Sequence, residues 1–197
     1  MRVTTHFVLW MLGWARAETQ TSDEERICLA RFATGRKRLV EIGTWHGVSS
    51  SCLRGAMASD GVLICVDPYP VGRLGFSAQR RIALKEVSKV RNGRVRWLRM
   101  TGADAGHQFV ASGEPAVDFI FIDGDHSYDG LRQDWEAWSG LVAAGGRVAL
   151  HDSCSSAARK IDDAGSVIYT RESILRDPRF RLIERVDTLS VLERNAI

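Results

Sequence analysis

The chain has 197 residues, 45% apolar and 26% charged, with 18 glycines and only 4 prolines, which suits one ordinary globular domain and excludes a disordered, collagen-like or disulfide-framework protein. A net charge of +3 admits an anionic ligand and is too mild to call for a nucleic-acid partner. Cys28, Cys52, Cys65 and Cys154 stand far apart without a C-x-x-C pair, so they read as reduced thiols of a cytoplasmic protein.

The first stretch, "MRVTTHFVLWMLGWARAET", has two readings. Arg2, the apolar run and the A-x-A at 15–17 outline a secretory leader. Against this, Phe7, Trp10, Met11 and Trp14 recur at i, i+3, i+4 and i+7, as on one face of a helix. Two tryptophans suit a packing or lid helix better than a leader, and they ask for cover of the kind a homodimer gives. No apolar run is long enough to cross a membrane, and no membrane partner is expected. A second helix follows in "SDEERICLARFA", with Ser22 as N-cap and Glu25 three residues on, a capping box. Residues 1–36 are thus expected to form a helical extension or lid, and 37–197 the main domain.

From residue 38 strands and helices alternate. Strands are predicted at 38–43, 62–67, 94–100, 117–123 and 145–152, with helices at 47–58, 76–90, 104–111, 128–142 and around 166–176. A closing hairpin over 179–194 turns at Asp187–Thr188. Successive βα units predict an α/β fold with a parallel sheet covered on both faces, and buried parallel strands explain the unbroken Phe119–Ile122 run.

In such sheets ligands bind beyond the carboxyl ends of the strands. After the first strand stands "VEIGTWHGVSS". Gly43 and Gly47 let backbone approach a ligand, and Ser49 and Ser50 begin a helix whose free N–H groups suit an anion. Asp67, 24 residues beyond Gly43, ends the second strand where a carboxylate accepts both hydroxyls of a ribose. Asp104 in "TGADA" follows the third strand and can accept from an adenine amino group; Ala105 adjoins it. Glu41 lies inside the first strand and needs a partner, either a ligand ammonium or a backbone cluster. Each has a plainer alternative: a tight turn, a residue before Pro68, a helix cap.

"VEIGTWHGVSS", "VLICVDPY", "TGADA", "DFIFIDGDHSYDG" and "LVAAGGRVALHDS" together resemble the successive motifs of class I S-adenosylmethionine-dependent methyltransferases, over residues 38 to 195. The "IDGDH…GG…HD" form is similar to small-molecule O-methyltransferases, including those of antibiotic sugars and mycobacterial methylmannose polysaccharides. The resemblance implies a Rossmann-like sheet of seven strands with the last antiparallel. It also implies S-adenosylmethionine as cofactor, held by Glu41, Gly43, Thr44, Gly47, Ser49, Ser50, Asp67, Asp104, Ala105 and Asp123.

Asp123 ends the fourth strand; His151 and Asp152 end the fifth, 28 and 29 residues on. Neighbouring strands lie about 4.8 Å apart, so these side chains can converge. Clustered carboxylates repel unless a cation joins them. In the similar metal-dependent O-methyltransferases, residues at these positions hold Mg²⁺, so Asp123, His151 and Asp152 are the expected metal ligands, for Mg²⁺ or Mn²⁺. The family usually has an acid where His151 stands, and a nitrogen ligand favours Mn²⁺ or Zn²⁺. Asp152 alternatively caps the next helix. His126, three residues past Asp123, is placed to act as general base with a near-neutral pKa, Asp123 and His126 forming the catalytic pair. The alternative sets His126 against the adenosine or the backbone. Asp125 orients His126 or is a further ligand.

The expected acceptor is a hydroxylated small molecule, a saccharide before a phenol or catechol, in a pocket shaped by Trp10, Trp14, Phe32, Tyr69, Arg73 and Phe76. Three rivals stand beside this reading. An RNA methyltransferase would use the basic runs Arg31, Arg36–Arg38 and Arg91–Arg99, but such runs are usually solvated faces. A non-catalytic S-adenosylmethionine-binding protein would bind without turnover. A nicotinamide enzyme is disfavoured by G-x-x-x-G in place of G-x-G-x-x-G.

Overall fold

The computed structural model describes residues 3–72 and 75–196; Arg2 and Arg73 lie outside them. Strands β1 (Arg38–Ile42), β2 (Val62–Val66), β3 (Arg94–Leu98), β4 (Val117–Ile122), β5 (Val142–Leu150), β6 (Phe180–Val186) and β7 (Leu189–Arg194) form one sheet in the order β3-β2-β1-β4-β5-β7-β6. β1 to β5 are parallel, and β7 runs antiparallel to both β5 and β6. The order reverses between β1 and β4, which opens a crevice at their carboxyl ends.

Side-chain alternation along β4 divides the core. Ile120 and Ile122 meet α5 (Gly102–Ala111), α6 (Tyr128–Trp138) and α7 (Gly165–Glu172) through Phe109, Trp135, Trp138 and Tyr169. Phe119 and Phe121 point to the other face, against Leu29 of α2 (Asp23–Ala33) and Leu53 of α3 (Val48–Ala56). The capping box at Ser22 and Glu25 forms as expected. α2 is therefore seated on the sheet, its Leu29 fully buried.

α1 (Val3–Met11) packs on α4 (Ala78–Ser88) through Phe7, beside Ile82. Of the expected stripe of Phe7, Trp10, Met11 and Trp14 the first half holds, Phe7 being buried and stacked on Trp10, which packs against the same cluster. The helix stops before Gly13, which adopts φ +76°, so Trp14 lies off it; Met11 and Trp14 are exposed, and His6 is buried with Phe7. Two other boundaries move. α6 ends at Trp138 and a 3₁₀ turn over Ser139–Leu141 leads directly into β5, which starts at Val142 because a register shift near Val117 takes up the extra residues. The helix expected at 166–176 is α7 followed by a 3₁₀ turn over Ile174–Arg176.

Trp138 ties these layers together. It is fully buried against Phe109, and its indole N–H donates to the Gly102 carbonyl (2.7 Å) at the start of α5. Trp138→Ala should cost about 3–5 kcal/mol in urea unfolding, from the lost burial and the cavity left behind. A loss under about 1 kcal/mol would contradict this placement of the core.

Candidate functional site

A cleft of about 700 Å³ opens at the carboxyl ends of β1 to β4. Gly43, at the end of β1, forms its floor with φ +88°. A Cβ there would fall 2.0 Å from the Asp123 carbonyl oxygen, so only glycine permits β1 and β4 to leave the sheet side by side. At the β2 end, Asp67 Oδ2 accepts from Trp45 N–H (2.9 Å) and Oδ1 from Tyr69 N–H (2.8 Å). Backbone donors thus fix both oxygens of a carboxylate that lines the cleft, an arrangement that suits two adjacent hydroxyls.

At the β4 and β5 ends acids and imidazoles alternate. Asp123 Oδ1 lies 3.1 Å from His126 Nε2 and 2.8 Å from His151 Nδ1. His126 Nδ1 is 3.0 Å from Asp152 Oδ2, and Arg159 donates to Asp152 Oδ1 (2.7 Å). His151 Nε2 is 3.4 Å from Glu25 Oε2. The contacts of His151 lack hydrogen-bond angles, which leaves both of its buried nitrogens without a hydrogen-bond partner. Asp123 and Asp152 raise the His126 pKa to about 9 against the effect of burial. Burial pulls His151 down, but Asp123 and Glu25 on either side outweigh it and lift the ring to about 10. Burial raises Asp152, yet His126, His151 and Thr188 together hold it at about 2.

The expected site residues divide accordingly. Gly43, Asp67, Asp123 and His126 line the cleft. Glu41, Ser49 and Ser50 do not. The two-residue period of β1 turns Glu41 toward α3, where it is fully buried and accepts from both serine hydroxyls. The serine pair, rather than a ligand or a backbone cluster, is the partner of Glu41. Burial nonetheless raises Glu41 to about 8. Gly47 caps α3 at φ +76° against Ala83 and Val87, and Thr44 is buried. Asp104 is exposed, its N–H and carboxylate both bonded to the Thr101 hydroxyl that caps α5, and Ala105 sits in the core. Of the expected metal ligands, Asp123 and His151 meet, while Asp152 stands beside them, 3.0 Å from His126 Nδ1 and 3.9 Å from His151 Nδ1, with its Oδ1 bonded by Arg159. The three residues whose ligand atoms all lie within 4.8 Å of one another are Asp123, His126 and His151. His126 is therefore no near-neutral base in the cation-free chain; flanking carboxylates hold its proton.

The aromatics expected to shape the acceptor pocket are engaged elsewhere. Tyr69 is buried beside Trp97, Phe76 packs on Phe7, Trp10 bonds Glu86, Phe32 joins the α2 core, and Trp14 is exposed. Several basic residues are paired with acids: Arg31 with Glu184, Lys37 with Asp60, and Arg38 and Arg96 with Glu114.

Asp134 and Glu25 also meet this region. Asp134 is 6% exposed on the cleft wall, wedged between Gly102 and Gly124, and burial with the nearby Asp125 charge raises it to about 7. The signal for it was a carboxylate inside the Leu131, Trp135, Trp138 stripe, a costly place for an idle acid.

A family profile described as a methyltransferase domain matches residues 40–153, more than half of the chain. The chain belongs to the methyltransferase domain family. A Mycolicibacterium smegmatis protein bearing a provisional O-methyltransferase name is 30% identical over 129 residues, covering 62% of this chain and 53% of that one, so this methyltransferase spans about half the length of the curated relative it matches. Among solved structures, an O-methyltransferase from Bacillus cereus in complex with SAH superposes with a TM-score of 0.69 at 19% identity, covering 98% of this chain and 89% of that one. An rRNA methylase from Streptococcus thermophilus superposes with a TM-score of 0.61 at 13% identity, covering 91% and 100%. Likeness at such identity establishes the fold, the seven-strand Rossmann-like sheet of class I methyltransferases.

The proton chain has a consequence for stability. In the folded, cation-free protein His126 and His151 bind protons up to about pH 9 and 10, whereas ordinary histidines release them near 6.5. Their stabilisation is complete below the unfolded value and lost as pH rises through the folded ones. Buried Glu41, at about 8, acts in the same direction. The urea midpoint should therefore fall between about pH 7 and pH 10, less so in His126→Asn. A midpoint that is flat or rises over that interval would contradict the assigned contacts.

Proposed function

We propose that this methyltransferase moves the methyl group of S-adenosylmethionine to a hydroxyl oxygen of a small molecule. One observation carries the reading: a single cleft runs from the Asp67 carboxylate, set for a ribose diol, across Gly43 to the Asp123–His126 pair. The Mycolicibacterium smegmatis relative and the SAH-bound Bacillus cereus fold agree with it.

The residues fit a divalent cation. Asp123, His126 and His151 converge, and the His151 nitrogens are buried without hydrogen bonds. Two imidazoles and one carboxylate suit Mn²⁺ better than Mg²⁺, which prefers oxygen. When bound, the cation would supply positive charge that lowers the pKa of a nearby hydroxyl. Asp67 fixes the cofactor ribose, and the Gly43 turn lets the cofactor lie close to the sheet. Asp123 holds the His126 ring at Nε2 while Asp152 holds it at Nδ1. In the state in which the cation is held by Asp123 and His151 and the His126 ring is not a ligand, His126 takes the acceptor proton once it has given up its own. Most of the rate then comes from fixed alignment of the acceptor oxygen with the methyl. Gln20, Asp125 and Gln133 also line the cleft, and such side chains hydrogen-bond hydroxyls as donors and acceptors. They favour a hydroxyl-rich acceptor such as a saccharide.

Two outcomes test this. Asp67→Ala should weaken S-adenosylmethionine binding in calorimetry by about 10-fold or more with thermal unfolding unchanged, since a good charged hydrogen bond contributes about 1.5–3 kcal/mol; unchanged affinity would remove the cofactor assignment. His126→Ala should lower kcat by about 10²- to 10⁴-fold at saturating cofactor, with cofactor affinity nearly unchanged because His126 lies at the other end of the cleft. A variant that keeps kcat but loses cofactor binding would place the ring against the adenosine instead.

A further inference from the structure

Glu25 reaches the centre from α2, outside the residues matched by the family profile. A capping-box glutamate needs only the N–H of the cap residue, and it normally stands in solvent on the first turn. Glu25 does that duty, accepting from Ser22 N–H at Oε2 (2.9 Å), but it is 2% exposed. Its Oε1 accepts from both the N–H and the hydroxyl of Thr188 (3.0 and 2.8 Å) at the β6–β7 turn. Its Oε2 stands 3.4 Å from His151 Nε2. One carboxylate thus joins the start of α2, the C-terminal hairpin and the imidazole at the end of β5.

An imidazole can ligate through one nitrogen only while that nitrogen keeps its lone pair, so the proton must sit on the other. His151 is nearly fully buried, and its Nδ1 faces Asp123 Oδ1 at 2.8 Å. The carboxylate of Glu25 offers only acceptors to Nε2, facing it at 3.4 Å as the nearest negative charge although the contact lacks the angle of a hydrogen bond. We propose that Glu25 is a positioning residue of the catalytic centre: it keeps the His151 proton on Nε2 and turns the Nδ1 lone pair toward Asp123 and His126, where a divalent cation would sit. The inference rests on the cation reading above and extends it to the N-terminal helix, which becomes part of the site. An amide at position 25 would present its NH₂ to Nε2 and drive the proton to Nδ1, the nitrogen needed for ligation.

Calorimetric titration of Mn²⁺ into the cation-stripped full chain tests this. Glu25→Gln should bind Mn²⁺ about 10- to 100-fold more weakly than the parent, the usual loss for a ligand histidine deprived of its outer partner, while S-adenosylmethionine affinity stays as it is. Ser22→Ala breaks the same capping box without touching His151; it should lower the unfolding temperature and leave Mn²⁺ affinity unchanged. Parent-like affinity in Glu25→Gln would overturn the inference alone, as would an equal loss in Ser22→Ala, which would reduce Glu25 to a helix cap. A parent chain that binds no Mn²⁺ would sink the cation reading and the inference together. A further measurement needs no variant: imidazole ¹⁵N spectra of the Zn²⁺-loaded parent should show His151 protonated at Nε2. Protonation at Nδ1 would overturn the proposal.

Discussion

One carboxylate oxygen, Asp123 Oδ1, is the point on which the site depends. It is the shared neighbour of His126 Nε2 and His151 Nδ1. Removing charged groups from water costs several kcal/mol each unless opposite charges are supplied in place. Here the charges alternate, from Glu25 through His151, Asp123, His126 and Asp152 to Arg159. No member is stable in its place without its neighbours, so the chain acts as one electrostatic unit. A divalent cation among Asp123, His126 and His151 would replace the protons that hold that unit together.

The fold brings this unit together through register. Ile42, Ile122 and Leu150 are paired across β1, β4 and β5, so the residues that follow leave the sheet at one level. Gly43 allows the close passage of β1 beside β4, and the left-handed conformation of Asp152 turns its carboxylate back toward His126. Glu25 and Thr188 then close the far side, which ties the first and last parts of the described chain to the same few side chains.

Much of this was legible in the sequence. The βα alternation gave the sheet, the apolar run at Phe119–Ile122 gave its central strand, and the acids and histidines just past β4 and β5 are side chains that the fold brings together. The hairpin turn at Asp187–Thr188 also lies where it was expected. The failures share a physical cause. Sequence spacing places a residue at the end of a strand but does not say to which side its carboxylate turns. Glu41 faced two serines rather than a ligand because the strand period directed it to α3. Asp152 stands beside the three converging ligand atoms rather than among them, its carboxylate shared between His126 and Arg159. Glu25 looked complete as a cap, since its contacts with Thr188 and His151 span 163 and 126 positions and follow no local pattern. Asp134 was concealed in an amphipathic helix whose other inward positions are apolar.

The proposed reading places the cofactor at Asp67 and a cation at the Asp123, His126 and His151 cluster of one cleft. A crystal grown with S-adenosylmethionine and Mn²⁺, measured at the manganese absorption edge, tests it most directly. The ribose hydroxyls should lie on the Asp67 carboxylate, and an anomalous peak should be enclosed by Asp123, His126 and His151. Ribose bound elsewhere, or a fully occupied cofactor with no peak among those three side chains, would contradict it.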